Sequence, residues 1–179
     1  MYTNCVKNKF IILDRDGTLI KHIPYLDNPN LVEILPNVVE GLLYLKSMGF
    51  RFGIISNQSG IGRLKITVDE VERINKKILR LLESNFVHID FIYYCPHIPE
   101  ELCSCRKPEK ELGLKAIHFF EIDTSLSYMV GDSDVDIMFG KALGLNTIRV
   151  GCAQTRKTIS DHTTIDLLEA AKLIEIEMS

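Results

Sequence analysis

Phe10-Ile11-Ile12-Leu13-Asp14-Arg15-Asp16-Gly17-Thr18-Leu19 is the stretch that decides how the rest of the chain is read. Four apolar residues run straight into two carboxylates one residue apart, followed by a Gly-Thr turn. The apolar run reads as a buried strand whose end is marked by the acids and Gly17. Desolvating carboxylates there is costly unless a cation or hydrogen-bond donors compensate. In open α/β sheets, ligands bind at the carboxyl ends of the strands. A hard divalent ion with oxygen ligands, typically Mg²⁺ beside phosphate groups, suits such a pair. The competing reading is two acids that merely solvate a turn.

The 179 residues fit one domain, 1–179, with room for small insertions. A composition of 46% hydrophobic and 25% charged residues is ordinary for a globular protein. The net charge of −3 gives no support for a nucleic-acid or anionic-membrane surface, so a phosphate ligand must find local cations. No apolar run approaches the roughly 18 residues of a membrane span. Met1-Tyr2-Thr3-Asn4-Cys5-Val6-Lys7-Asn8-Lys9 lacks the apolar centre of a signal peptide. The expectation is a cytoplasmic monomer that meets neither nucleic acid nor membrane.

Strand and helix signals alternate from end to end. Apolar runs at Phe10–Leu13, 52–56, 89–94, 128–130 and 147–150 read as strands. Pro36 suits a first helical position, and Val38, Leu42, Leu45 and Met48 follow at helical spacing before Gly49. Thr67-Val68-Asp69-Glu70 is a capping-box pattern that opens a helix through Val71, Ile74, Ile78, Leu81 and Leu82. Further helices are expected over 112–120, 136–143 and 165–176. The alternation implies βαβ units: an α/β, doubly wound, mostly parallel sheet with helices on both faces.

Later strand ends carry matching chemistry. The second ends in Ser56-Asn57, then Gln58-Ser59-Gly60-Ile61-Gly62-Arg63, where a hydroxyl, an amide and free backbone N–H groups can hold phosphate oxygens. Arg106-Lys107-Pro108 places two cations before a helix, suited to neutralising a phosphate. Lys110 competes for that role, and the proline favours Lys107. The fourth strand ends Gly131-Asp132-Ser133-Asp134-Val135-Asp136, three acids in five residues that repel one another without a cation. Asp134 suits a helix N-cap. Asp132, directly after Gly131, is the better metal ligand, and Asp136 is placed to hold Asp132, Lys107 or a metal-bound water.

The order Asp-x-Asp-Gly-Thr, Ser-Asn, Lys-Pro, Gly-Asp-x-x-x-Asp resembles the four-motif series of the haloacid dehalogenase phosphatases, over residues 10 to 150. The resemblance implies a Rossmann-like core in which Asp14 is the nucleophile and Asp16 the general acid and base. Mg²⁺ would be held by the Asp14 carboxylate, the Asp16 backbone carbonyl and Asp132. Ser56 and Lys107 would bind the transferring phosphoryl oxygens. Only one helix fits between Asp16 and Ser56, which leaves no room for a large cap domain.

Cys95-Pro96-His97 followed by Cys103-Ser104-Cys105 gives three thiolates and an imidazole, a closed tetrahedral set that fits structural Zn²⁺. Disulfides or reduced free thiols are the alternatives. Such a zinc would staple a loop over 95–108 and fix Arg106 and Lys107 beside the site. This loop with Cys-Arg-Lys-Pro is similar to the heptose-bisphosphate phosphatase branch and to the histidinol-phosphate phosphatase branch. There the arginine matching Arg106 contacts the substrate beyond the transferred phosphate, and Asn57 and Arg63 join it as substrate-binding candidates. The Asn57-Gln58-Ser59-Gly60 run looks more like the heptose branch, in which a small sugar bisphosphate is the substrate. Leu64 after Arg63, Glu109-Lys110-Glu111-Leu112 after Pro108, and Ser133 depart from that branch. The five residues between His97 and Cys103 are closer to the histidinol one.

Other readings are a polynucleotide 3′-phosphatase, which the acidic balance disfavours, a phosphosugar mutase, which lacks its cap, and a catalytically dead zinc-stapled binding module. His22, His88, His118 and His162 read as structural. Cys5 and Cys152 read as small apolar residues, and Lys7, Lys9, Arg156 and Lys157 as solvated faces.

Overall fold

The computed structural model describes residues 8–151 and 159–178. The readings made for residues 1–7, for Cys152 and for Arg156 and Lys157 lie outside these. Six strands form one all-parallel sheet: β1 Phe10–Leu13, β2 Arg51–Asn57, β3 Phe91–Cys95, β4 Tyr128–Gly131, β5 Asn146–Arg149 and β6 His162–Thr163, in the order β3-β2-β1-β4-β5-β6. The helices are α1 Val38–Ser47, α2 Val68–Glu83, α3 Glu111–Phe120, α4 Asp134–Ala142 and α5 Leu167–Met178.

The strands alternate between two cores, as a sheet buried on both faces requires. Ile11, Leu13, Phe52, Ile54, Tyr128, Val130 and Ile148 pack with α1, α2 and α5. Phe10, Ile12, Ile55, Phe91 and Met129 pack with α3 and α4. The strand order reverses between β1 and β4, and in such sheets the crevice at that reversal is the ligand site. Leu13 pairs with Ile54 on one side and Val130 on the other, so Asp14, Ser56 and Asp132 emerge together at the carboxyl edge.

Three local readings change. Helix α1 begins at Val38, and Asn37 in the left-handed region (φ 63°) precedes it. Pro36 therefore lies before the helix rather than at its first position; Asn tolerates the turn that redirects the chain there. Ser133, not Asp134, caps α4, because Asp136 three residues on reaches back to accept from the Ser133 backbone N–H at 3.1 Å and hydroxyl at 2.5 Å. Finally, β6 is only two residues long, too short to leave an apolar pattern. The Thr67 capping box forms as read: the Thr67 N–H donates to Glu70 Oε2 at 2.7 Å and the Glu70 N–H to Thr67 Oγ1 at 3.2 Å.

Candidate active site

The Lys107 ammonium is 3% exposed and lies at the end of β1 between two carboxylates. It donates to Asp14 Oδ1, Asp136 Oδ1 and the Ile55 carbonyl, each at 2.6 Å. Asp14, Asp132 and Asp136 each bring a carboxylate oxygen within 4.8 Å of the others. Two glycines make this possible. A Cβ on Gly131 would come within 2.3 Å of Asp136 Cβ, and one on Gly17 (φ +87°) within 2.3 Å of Asp132 Oδ2.

One ammonium does not neutralise three acids. Burial pushes the Asp14 carboxyl up to about 7 against the pull of Lys107, with Asp136 and Asp16 adding to the push. Burial likewise raises Asp132, and Asp136 adds to it. Lys107 itself is driven down by burial but more strongly up by Asp14 and Asp136, so it stays charged. The cluster has an excess of negative charge and a set of oxygen donors, which fits a hard divalent cation. Asp136 joins the cluster in addition to the expected ligands, and the Asp16 carboxylate points elsewhere.

Asp16 is held by residues that the sequence reading left unassigned. Arg15 is 2% exposed; its Nε donates to Asp16 Oδ2 at 2.9 Å and its Nη2 to Oδ1 at 3.2 Å. Arg15 also reaches Gln58 Oε1 at 2.9 Å and Asn75 Oδ1 at 3.0 Å. Gln58 Nε2 donates to Asp16 Oδ2 at 2.8 Å and to Ser56 Oγ at 3.2 Å. The available signal was periodicity: Arg15 continues the Ile11–Leu13 face of β1, and Asn75 interrupts the apolar stripe of α2.

A depression of about 290 Å³ opens over the carboxylates and is lined by Asn57, Arg106 and Ser133 as well. A second, of about 270 Å³, is lined by Pro24, Tyr25, Gln58, Ser59 and Gly60. Asp16, His22 and Asn57 line both, so the two meet there. His22, read as structural, thus stands on the rim of the cleft. Asn57 uses both ends of its amide on the Lys107 backbone, accepting at 3.0 Å and donating at 3.1 Å, which positions Lys107. Arg106 lines the first depression and donates to the His97 carbonyl at 3.3 Å. Arg63 is exposed and is not among the residues lining either depression.

The loop after β3 brings Cys95, His97, Cys103 and Cys105 together. Their sulfurs lie 3.2–3.6 Å apart, and His97 Nδ1 is 3.2 Å from Cys105 Sγ. A disulfide needs about 2.05 Å, and all three thiols are free. The sulfur separations approach the roughly 3.8 Å that two zinc–sulfur bonds of about 2.3 Å span at a tetrahedral angle. The other ring nitrogen, His97 Nε2, lies 3.9 Å from Glu101 Oε2.

Residues 104–170 match the HAD-hydrolase-like family model. Over 138 residues the chain is 38% identical to a probable D-glycero-D-manno-heptose-1,7-bisphosphate 7-phosphatase of Thermoplasma volcanium, across 76% of this chain and 94% of that protein. The chain belongs to the haloacid dehalogenase phosphatases. A D-glycero-beta-D-manno-heptose-1,7-bisphosphate 7-phosphatase of Escherichia coli O6:H1 is 36% identical over 144 residues, 76% of each chain. The histidine biosynthesis bifunctional protein HisB of Legionella pneumophila is 31% identical over 166 residues, 91% of this chain but 47% of that one. Among solved structures, the D,D-heptose 1.7-bisphosphate phosphatase from B. bronchiseptica complexed with magnesium and phosphate superposes with a TM-score of 0.85 at 26% identity, over 94% of this chain and 99% of that one. This haloacid dehalogenase phosphatase therefore gathers its acids and Lys107 at the carboxyl edge of the Rossmann-like sheet of the superfamily, by the switch point between β1 and β4.

Proposed function

We propose that this phosphatase removes the 7-phosphate of D-glycero-D-manno-heptose 1,7-bisphosphate through a covalent aspartyl-phosphate on Asp14. The observation that carries the reaction is the buried Lys107 between Asp14 and Asp136, with Asp132 beside them and Asp16 at the cleft. The substrate rests on the heptose-bisphosphate relatives at 36–38% identity.

A carboxylate oxygen of Asp14 attacks phosphorus, and the bond from phosphorus to the sugar oxygen breaks. The departing oxygen takes a proton from Asp16, which becomes a carboxylate. Asp16 then accepts a proton from a water that attacks the aspartyl-phosphate, which frees Asp14 and releases inorganic phosphate. Lys107 and the Ser56 hydroxyl hold the phosphoryl oxygens, where positioned charge supplies most of the stabilisation. Asp14, Asp132 and the Asp16 carbonyl, with Asp136 nearby, would hold Mg²⁺; when bound it screens the carboxylate nucleophile from the phosphate dianion. The Cys95, His97, Cys103 and Cys105 set would hold a structural Zn²⁺ that braces Arg106, a contact for the far end of the substrate.

A second reading, histidinol phosphate as substrate, is favoured by the five-residue spacer between His97 and Cys103. Phosphate release with Mg²⁺ from both heptose bisphosphate anomers, histidinol phosphate, other sugar phosphates and a 3′-phosphorylated oligonucleotide separates the two. Selective release from a heptose bisphosphate, abolished in Asp14→Asn, is the expected result. Preference for histidinol phosphate would keep the chemistry and overturn the substrate.

A further inference from the structure

We propose that Arg15, Gln58 and Asn75 form a clamp that presents Asp16 to the leaving oxygen and makes Oδ1 the atom that carries its exchangeable proton. The proposal rests on the acid–base reading of Asp16. Asp16 must both give and take a proton, so one of its oxygens has to stay free to bear it.

Asp16 Oδ2 is occupied by Arg15 Nε at 2.9 Å and Gln58 Nε2 at 2.8 Å. Two donors use both in-plane lone pairs of that oxygen. Arg15 Nη2 also lies 2.9 Å from Oδ2 and donates to Oδ1 at the longer distance of 3.2 Å; among the described residues no other donor reaches Oδ1, which keeps a lone pair for the proton. The donors cannot exchange roles. Arg15 Nη2 holds Gln58 Oε1 at 2.9 Å, which turns the Gln58 nitrogen toward Asp16 and Ser56. Ser56 Oγ accepts from that same nitrogen, so its own O–H is left to donate to a phosphoryl oxygen.

Asn75 anchors the far end. It is 4% exposed on α2 and accepts from Arg15 Nη1 at 3.0 Å. A planar guanidinium with five donors fits this junction, and lysine cannot reproduce the fork. The clamp residues are themselves buried, Arg15 at 2% and Gln58 at 6%, while the Asp16 side chain keeps 17% exposure. Arg15 and Gln58 also line the second depression and Asn75 lines neither; in the clamp Arg15 and Asn75 act through Asp16, as positioning residues.

Leaving-group dependence tests this. A 4-nitrophenolate departs without protonation, whereas a sugar alkoxide does not, and kcat/KM covers the steps up to loss of the alcohol. Heptose 1,7-bisphosphate and 4-nitrophenyl phosphate are compared in Asp16→Asn, Asn75→Ala and Arg15→Lys, with thermal unfolding monitored. Asp16→Asn is expected to lose about 10²–10⁴-fold on the sugar ester and far less on the aryl ester. Asn75→Ala and Arg15→Lys are expected to lose about tenfold on the sugar ester, with the aryl ester within about twofold and Asn75→Ser intermediate. Equal losses on both esters, or none on either, in the Asn75 and Arg15 variants would overturn the clamp. Equal losses in Asp16→Asn would instead overturn the acid–base reading, so the two failures are distinct. Asn75→Ala carries the test alone should Arg15→Lys fail to fold.

Discussion

The carboxylate cluster and the Cys/His loop are both groups of ligating side chains at the same end of the sheet, yet they are held in opposite ways. Asp14 and Asp136 are buried and carry their counter-charge with them, in the Lys107 ammonium 2.6 Å from each. The loop is half-open, with the His97 side chain 43% exposed and its four donors facing one another. Burial pushes the Cys95 thiol well above its usual range, and its neighbouring thiols add to the push, so a metal entering there must displace protons. One region is thus preformed by the fold, and the other is proposed to be completed by an ion. Only Arg106 separates Cys105 from Lys107 along the chain, so a disturbance of the loop has a short route into the preformed site.

The largest effect should come from Asp14→Asn, which removes the proposed nucleophile and leaves the loop untouched. Turnover is expected to fall by about 10⁴-fold or more, the scale for losing a covalent nucleophile. Metal analysis should find the zinc proposed for the loop unchanged; its loss along with activity would break the separation of the two regions. Lys107→Met attacks the same cluster through its counter-charge. Removing one partner of a buried pair leaves uncompensated charge, at a cost of about 3–5 kcal/mol by urea unfolding at neutral pH. Asp14, already raised to about 7, would rise further without Lys107. The variant should therefore regain stability relative to the parent as the pH falls from that further-raised value toward 7, and the difference should level off below 7, where Asp14 is protonated in both proteins.

The loop gives the third test. Chelation, or Cys105→Ser, should release the proposed zinc and lower Tm by roughly 5 °C or more, since about 1 kcal/mol moves Tm by 2–4 °C at this size. Activity should fall about tenfold through Arg106 and Lys107 while Mg²⁺ dependence remains. A fall in Tm with activity intact would mean that the loop does not support the cleft.

Much of this division was legible in the chain. Apolar runs ending in acids located β1 and β4, and Thr67 with Glu70 marked the start of α2, because each is a local pattern with a local cause. Lys107, not Lys110, is the lysine that reaches Asp14. The network around Asp16 was not legible. Arg15 between two acids reads as one more surface charge, and only the sheet's alternation turns it inward to Asn75, 60 residues away. Asn57 had a phosphate-binding look but spends both amide groups on the Lys107 backbone, a pairing that depends on where the loop after β3 folds back. Non-local partners of this kind leave at most an interrupted periodicity, which does not say who the partner is.

The smallest effect concerns a carboxylate–ammonium pair that is not buried. Asp161 and Lys141 are each 42% exposed and 2.7 Å apart, and Asp161 Oδ2 also accepts from the Thr147 N–H at 2.9 Å and hydroxyl at 2.6 Å, fastening β5. Partial burial pushes the Asp161 carboxyl up, but its bonds to Lys141 and Thr147 outweigh this and hold it below its usual range. A carboxyl lowered by folding contributes above its unfolded pKa and loses that contribution as the pH falls through the folded value. Asp161→Asn should therefore cost less than about 1 kcal/mol at pH 7, since solvent screens the pair. The difference from the parent should vanish in acid below the ordinary value of 3.8. The contrast with Lys107→Met sets a buried carboxylate–lysine contact against an exposed one at nearly the same distance. Equal losses from the two substitutions would mean that burial does not set the weight of the Lys107 cluster, and its role as a preformed site would have to rest on geometry alone.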